Sequence, residues 1–182
     1  MIFTETKLPG AFIIEIKKIE DDRGFFGRSW CKREMEEHGL NANVVNMNTS
    51  LSNLKGTLRG LHFQLPPNPE AKMVRCTKGS IFDIIVDLRP KSPTFKQWFG
   101  EILSADNYKM LYSPEGFAQG FITLEDNTEI TYLTTDFYAP AAAKGVRWND
   151  PTFNIQLPLE PLVISDMDKN WPDFDPNYFI NI

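Results

Sequence analysis

His62 lies in the run Gly56-Thr57-Leu58-Arg59-Gly60-Leu61-His62-Phe63-Gln64, and the 182-residue chain has only one other histidine, His38. An imidazole is the side chain that ordinarily titrates near neutral pH, so two histidines leave almost no choice of imidazole base. Arg59 stands just before His62, and Lys72 and Arg75 follow it. A base on a strand with cations close by suits proton abstraction. The plain alternative is a hydrogen-bonded core histidine with Arg59 as a surface cation.

Other chemistries lack their residues. A metal site of the kind found in jelly rolls takes two or three histidines and a carboxylate on facing strands. His38 and His62 are separated by a predicted helix and two strands, so no metal is expected. There is no GxSxG and no cysteine in a recognisable nucleophile setting, which argues against acyl transfer. Neither a Walker A loop nor GxGxxG is present, so no nucleotide cofactor held by those loops is expected. What remains is acid–base chemistry without metal or cofactor.

Composition narrows the partners. The net charge of −5 argues against non-specific binding to nucleic acid or to an anionic membrane. An anionic substrate then needs locally placed arginines, and Arg23 and Arg59 are candidates. Fourteen Phe and four Trp can pack a core and stack flat ligands. Cys31 and Cys76 are too few for a disulfide framework and lack zinc-ligand spacing, which fits a reducing cytoplasm. Glu5 and Lys7 near the start, with no long apolar stretch, do not read as a signal peptide.

The elements that position these residues read as strands. In Ile81 to Arg89, Phe82, Ile84, Val86 and Leu88 alternate with Ile81, Asp83, Ile85 and Asp87. Both faces are partly apolar, which predicts a strand central to a sandwich. Ala11–Ile19, Asn43–Ser50, Lys72–Lys78, Lys96–Leu103, Tyr108–Tyr112, Phe117–Leu124 and Glu129–Thr135 are further predicted strands. Lys32 to His38 predicts one short helix ended by Gly39. Turns recur at Asp21-Asp22-Arg23-Gly24, Lys78-Gly79-Ser80, Arg89-Pro90-Lys91-Ser92-Pro93, Ser113-Pro114-Glu115-Gly116 and Glu125-Asp126-Asn127. This rhythm predicts an all-β jelly-roll sandwich over residues 1–182 as a single domain, with a few short helices. The stretch from Pro158 is expected to wrap back over it.

Read together, the motifs resemble the dTDP-4-dehydrorhamnose 3,5-epimerase family. The resemblance rests on Asp22-Arg23-Gly24-Phe25-Phe26, on Gly56 to Gln64, and on Lys72, Val74 and Gly79. It continues through Phe82-Asp83 and Val86-Asp87-Leu88-Arg89, Ser92-Pro93-Thr94 and Pro114-Glu115-Gly116-Phe117-Ala118. Tyr132, Thr135-Asp136, Tyr138-Ala139-Pro140, Arg147-Trp148-Asn149-Asp150-Pro151, Ser165 and Asp168 complete it in order.

The resemblance implies a cupin-type jelly-roll homodimer, free of metal, acting on a nucleotide-linked 4-keto-6-deoxyhexose. The ketone acidifies the protons at C3 and C5; a base removes one, and an acid returns a proton from the opposite face. On this reading His62 is the base, Asp168 holds it and stabilises its cationic form, Lys72 stands by the enolate oxygen, and Tyr132 is the acid. Tyr138 competes with Tyr132 for the last role. Arg23 and Arg59 pair with the diphosphate. Phe26 packs on the base or on the partner subunit, and part of the site around Phe26 and Arg28 comes from the partner.

Departures from the family pattern fall around the nucleotide and sugar. Arg28 stands for a glutamate, Asn46 (ahead of Asn48) for a glutamine, Gln119 for a histidine, and Leu133 for a lysine. A glutamate expected near Ala143 is missing, and Met167 replaces a lysine. The four residues assigned to the chemistry are intact, so deprotonation is expected to be kept. A cytidine- or guanosine-linked sugar, or inversion at one carbon only, stays open. Two further alternatives are a 3,4-ketoisomerase of the same fold and a non-catalytic binder of sugar nucleotides.

Overall fold

The protein is described here from a computed structural model covering residues 1–179. In chain order its strands begin β1 (Ile2–Glu5), β2 (Phe12–Glu15), β3 (Ile19–Asp21), β4 (Gly24–Phe26), β5 (Asn46–Ser52), β6 (Thr57–Gln64) and β7 (Lys72–Lys78). They continue with β8 (Ser80–Asp87), β9 (Trp98–Ser104), β10 (Met110–Ser113), β11 (Phe117–Thr123), β12 (Thr128–Thr134), β13 (Ala143–Gly145) and β14 (Val163–Ile164). Two short helices are α1 (Lys32–Glu37) and α2 (Asp166–Lys169).

These strands form a jelly-roll sandwich. One sheet runs β1-β2-β10-β7-β12-β5; the other runs β13-β6-β11-β8-β9, with β14 added parallel to β6. β3 and β4 make a separate hairpin. The alternation read in β8 has a direct consequence for packing. Ile81 and Ile85 enter the core between the sheets, with Val74, Cys76, Leu111, Phe121 and Ile130. Ile84, Val86 and Leu88 face the other way, where Val146, Phe153, Ile155 and Phe174 of the returning chain cover them. On the outer face of the first sheet, Met73, Met110 and Tyr112 pack under Met35 of α1, Leu40 and Ala42.

Two predicted boundaries need correction. The run Ala11–Ile19 is two strands, because after the buried Ile16 it turns charged and no apolar face holds it on the sheet. Instead Ile19–Asp21 pairs with Gly24–Phe26, and Lys18 lies over the rings of Phe25 and Tyr108 at 4.8 and 4.5 Å. The strand expected from Asn43 starts at Asn46, because the Asn41 side chain accepts the Asn43 amide at 3.0 Å and holds a turn. The predicted helix ends as expected, with Gly39 at φ 71°. The chain beyond Pro158 does wrap back: β14 pairs with β6 and Phe174 closes the outer cluster. Among the described residues no helix is long and apolar enough to cross a membrane.

Candidate active site

Along the inner faces of the two sheets, apolar residues give way to polar ones at one end. On β7 the inward series is Cys76, Val74, then Lys72; on β12 it is Ile130, then Tyr132. On the opposite sheet β11 passes from Phe121 to Gln119, directly in register with His62 on β6. The space so lined has two lobes. One, of about 530 Å³, is bounded by Arg59, His62, Lys72, Asp83, Gln119, Tyr132 and Asp168 among others. The second, of about 630 Å³, adds Asn46, Asn48, Glu70, Tyr138, Lys144 and Trp171. His62, Lys72, Tyr132 and Met167 belong to both, so the lobes meet at these side chains.

β6 and β11 come unusually close beside His62. A Cβ on Gly120 would lie 2.5 Å from the Arg59 carbonyl oxygen, and Gly60 has φ 109°. Only glycine fits both positions. The ladder shifts register here, between Gln119 and Phe121, and this bend turns His62 toward the cavity mouth.

Asp168 reaches His62 from far along the chain. Ser165 caps α2 by accepting the Asp168 amide at 3.1 Å. The Asp168 carboxylate then meets His62 Nε2 at 2.6 Å, and its other oxygen accepts the Gly60 N–H at 3.2 Å. Trp171 donates its indole N–H to Asp168 at 3.4 Å. Burial alone would raise the Asp168 carboxyl, but the hydrogen bonds and charge of His62, with Gly60 and Ser165, hold it below the usual carboxylate range. With Nε2–H donating to this carboxylate, the neutral imidazole keeps its lone pair on Nδ1. Nδ1 makes no hydrogen bond to the described residues, so it is free to take a proton. His38 has no such setting: its ring stacks on Phe3 at 3.8 Å and its Nδ1 lies 2.8 Å from the Glu34 carbonyl at the end of α1.

Across the cavity, Lys72 Nζ donates to the His62 carbonyl at 3.2 Å and pairs with Glu70 at 3.1 Å. The ammonium is thus fixed close to the base. Burial, then the nearby Glu70 charge, pushes the Tyr132 phenol up, so it keeps its proton at neutral pH. An imidazole, a fixed ammonium and a protonated phenol therefore converge on one space from opposite sheets, groups that can remove and return a proton on opposite faces of a molecule bound there. Among the described residues, no three His, Cys, Asp or Glu side chains are grouped to hold a metal ion.

The dTDP-4-dehydrorhamnose 3,5-epimerase family matches residues 5–176. The chain belongs to this family. A dTDP-4-dehydrorhamnose 3,5-epimerase of Shigella flexneri is 44% identical over 97% of this chain and 98% of its own. The crystal structure of the Bacillus anthracis epimerase, with TDP and pyrophosphate bound, superposes with a TM-score of 0.90 at 42% identity, covering 95% of this chain and 99% of that one. An epimerase of Legionella pneumophila, in complex with dTDP-4-keto-L-rhamnose, gives 0.88 at 37% identity, with 98% and 94% covered.

Within this member of the epimerase family, not every expected residue reaches the cavity. Arg23 and Phe26 sit exposed on the β3–β4 hairpin; Arg23 is paired with Asp21 at 2.5 Å. Arg28 is paired with Glu34 at 2.8 Å. None of the three lines either lobe. Asn46 donates to Thr134 Oγ1 at 3.2 Å beside the second lobe, and Met167 presents a thioether to both lobes. Leu133, in contrast, packs on the outer face of its sheet. Sequence reading passed over Glu70, Asp83, Ser113 and Trp171. Asp83 did carry a signal, being a carboxylate flanked by Ile81 and Ile85 on one face of β8. Trp171 carried none, because its position depends on how the chain beyond Pro158 folds back.

Proposed function

We propose that the protein epimerises a dTDP-linked 4-keto-6-deoxyhexose at C3 and C5, as a homodimer in the cytoplasm, in the assembly of a rhamnose-type deoxysugar. The reading is supported most by the His62–Asp168 pair at 2.6 Å, set on the sheet opposite Lys72 and Tyr132 around a shared cavity.

His62 Nδ1 takes the proton from the carbon beside the ketone, and the electron pair moves onto the ketone oxygen as an enolate. The resulting imidazolium is stabilised by the Asp168 carboxylate. Lys72 lies where charge grows on the oxygen, so its help is felt most in the transition state. Tyr132 delivers a proton to the other face as the enolate collapses. Each inversion leaves His62 with one proton more and Tyr132 with one fewer, and exchange with water restores both. Solvent hydrogen must therefore enter the product at each inverted carbon.

Arg59 would meet the diphosphate, while Asn46, Asn48 and Tyr138 in the second lobe would meet the nucleoside. Arg23, Phe26 and Arg28 fit a role in a partner's site, since they are exposed outside both lobes of their own chain. The outer face of the first sheet exposes Val45, Met47 and Leu51 at its β5 edge, a surface suited to a second copy. The free thiols Cys31 and Cys76 fit a reducing compartment.

The test is NMR of dTDP-4-keto-6-deoxyglucose with the protein in deuterated water, beside the CDP- and GDP-linked sugars. Deuterium at C3 and C5 of the dTDP sugar is expected. Exchange at one carbon, or only with another nucleotide, would restrict the reaction and point to Arg28, Asn46 and Gln119. Absence of exchange with all three would overturn the proposal.

A further inference from the structure

Asp83 has no solvent exposure, and its Oδ1 has no hydrogen-bond partner. Its Oδ2 accepts one hydrogen bond, from Gln119 Nε2 at 2.8 Å. The orientation of that amide is set from behind. The buried Ser113 hydroxyl donates to Gln119 Oε1 at 2.5 Å, so the amide NH₂ must point at Asp83. Both Asp83 and Gln119 line the first lobe of the cavity.

The charged and titratable groups around Asp83 are accounted for on every neighbouring strand. Glu101 stands opposite it on β9 and is already paired with Lys109 at 2.6 Å. Lys72 on β7 attracts it from across the sandwich but is paired with Glu70. His62 and Arg59 on β6, Tyr132 on β12 and Asp168 on α2 share the cavity, with His62 engaged by Asp168. No cation lies within ion-pair distance of Asp83 among the described residues. An ionised carboxylate so deeply buried, met by neutral amides alone (Gln119 and the Ile84 backbone), would be poorly compensated. A neutral carboxyl resolves the imbalance: Oδ2 accepts from Gln119, and Oδ1 carries the proton.

We propose that Asp83 serves as a neutral acid whose Oδ1–H is a further hydrogen-bond donor of the site, recognising the ketone oxygen of the bound sugar together with Lys72. This rests on the epimerase reading above and adds a recognition residue to it. Burial, working against the Gln119 bond, pushes the Asp83 carboxyl up to about 8, in keeping with a protonated group at neutral pH. A ketone only accepts hydrogen bonds, and its oxygen gains negative charge as the enolate forms. A donor fixed by the Ser113–Gln119 pair favours it over a hydroxyl and needs no reorganisation during reaction. Gln119 thereby acquires a defined task, as a positioning residue for Asp83.

Asparagine is the informative substitution. In Asp83→Asn the side-chain oxygen can accept from Gln119, and the NH₂ then sits where Oδ1–H was, as a donor that cannot ionise. Asp83→Ala is expected to lower kcat by about tenfold or more, the loss of one good donor. Asp83→Asn is expected to recover most of that loss. The wild-type rate relative to Asp83→Asn should fall as pH rises through about 8, since only the wild type loses its donor.

Infrared difference spectra of wild type minus Asp83→Asn give a readout independent of turnover. A protonated-carboxyl C=O band is expected at neutral pH, fading above about pH 8 and shifting on addition of the dTDP keto sugar. A carboxylate band at neutral pH, or an Asp83→Asn protein that is folded yet as slow as Asp83→Ala, would overturn this assignment while leaving the epimerase reading intact. Loss of all exchange in the wild type, with the C=O band present, would instead overturn the epimerase reading.

Discussion

Two carboxylates in this molecule are almost equally hidden from water and yet are driven in opposite directions. Asp168 is 4% exposed and Asp83 is 0% exposed. Asp168 receives His62, the Gly60 amide and the Trp171 indole, and these outweigh its burial. Asp83 receives only neutral amides, from Gln119 and the Ile84 backbone, and burial wins. Asp83 lies deeper and has fewer donors than Asp168, and both differences drive the two carboxyls apart. The cavity thereby has, beside His62, a carboxyl held low and, on β8, a carboxyl pushed up.

The sharpest way to break the His62 side is to remove what Asp168 holds. His62→Ala is expected to lower deuterium exchange by about 10³-fold, within the range for a lost general base, while circular dichroism shows the fold kept. Asp168→Asn follows, with an expected loss of about 10²-fold in kcat, since the imidazolium loses its counter-charge. Its stability should also depend on pH in a defined sense. The lowered Asp168 carboxyl contributes stability that is present above the ordinary carboxylate range and is lost as pH falls through it. Thermal melts should therefore show Asp168→Asn weaker than wild type at pH 7 and closer to it near pH 3.

Tyr132→Phe probes the return of the proton. Net epimerisation should drop more than wash-in of solvent deuterium, by about tenfold in their ratio, because abstraction by His62 continues. Wash-in falling in step with epimerisation would remove Tyr132 from the role. Asp83 gives the smallest effect. Asp83 is raised in the folded state, so its contribution is full below its unfolded value near 4 and is lost as pH rises through about 8. Asn at this position does not ionise. The melting temperature of Asp83→Asn minus that of wild type should therefore grow by a few degrees between pH 5 and pH 8.

The same contrast explains what could be read in the sequence. The two faces of β8 were legible because alternation along a strand is a local property; it put Asp83 on one face with Ile81, Ile85 and Asp87, and only the fold shows that this face is the inner one. The strand limits of β7, Lys72–Lys78, were legible for the same reason. The meeting of His62 with Asp168 was not legible from spacing, because 106 residues separate them and β14 and α2 are too short for periodicity. Family resemblance supplied that pairing. Nor did local pattern reveal that Ser113 orients Gln119, or that Trp171 covers Asp168. The first contact joins β10 to β11 across the two sheets, and the second arises only when the chain beyond Pro158 closes over β6. Arg23, Phe26 and Arg28 were expected at the site and lie outside both lobes of the cavity.

The scarcity of imidazoles has a practical consequence. His38 is stacked against Phe3 with an interplanar angle of 16°, so ring current displaces its proton resonances from those of His62. Histidine-selective isotope labelling would thus yield two separable signals, and substitution of His38 would assign them. Protonation and tautomer of the base could then be followed spectroscopically while substrate turns over.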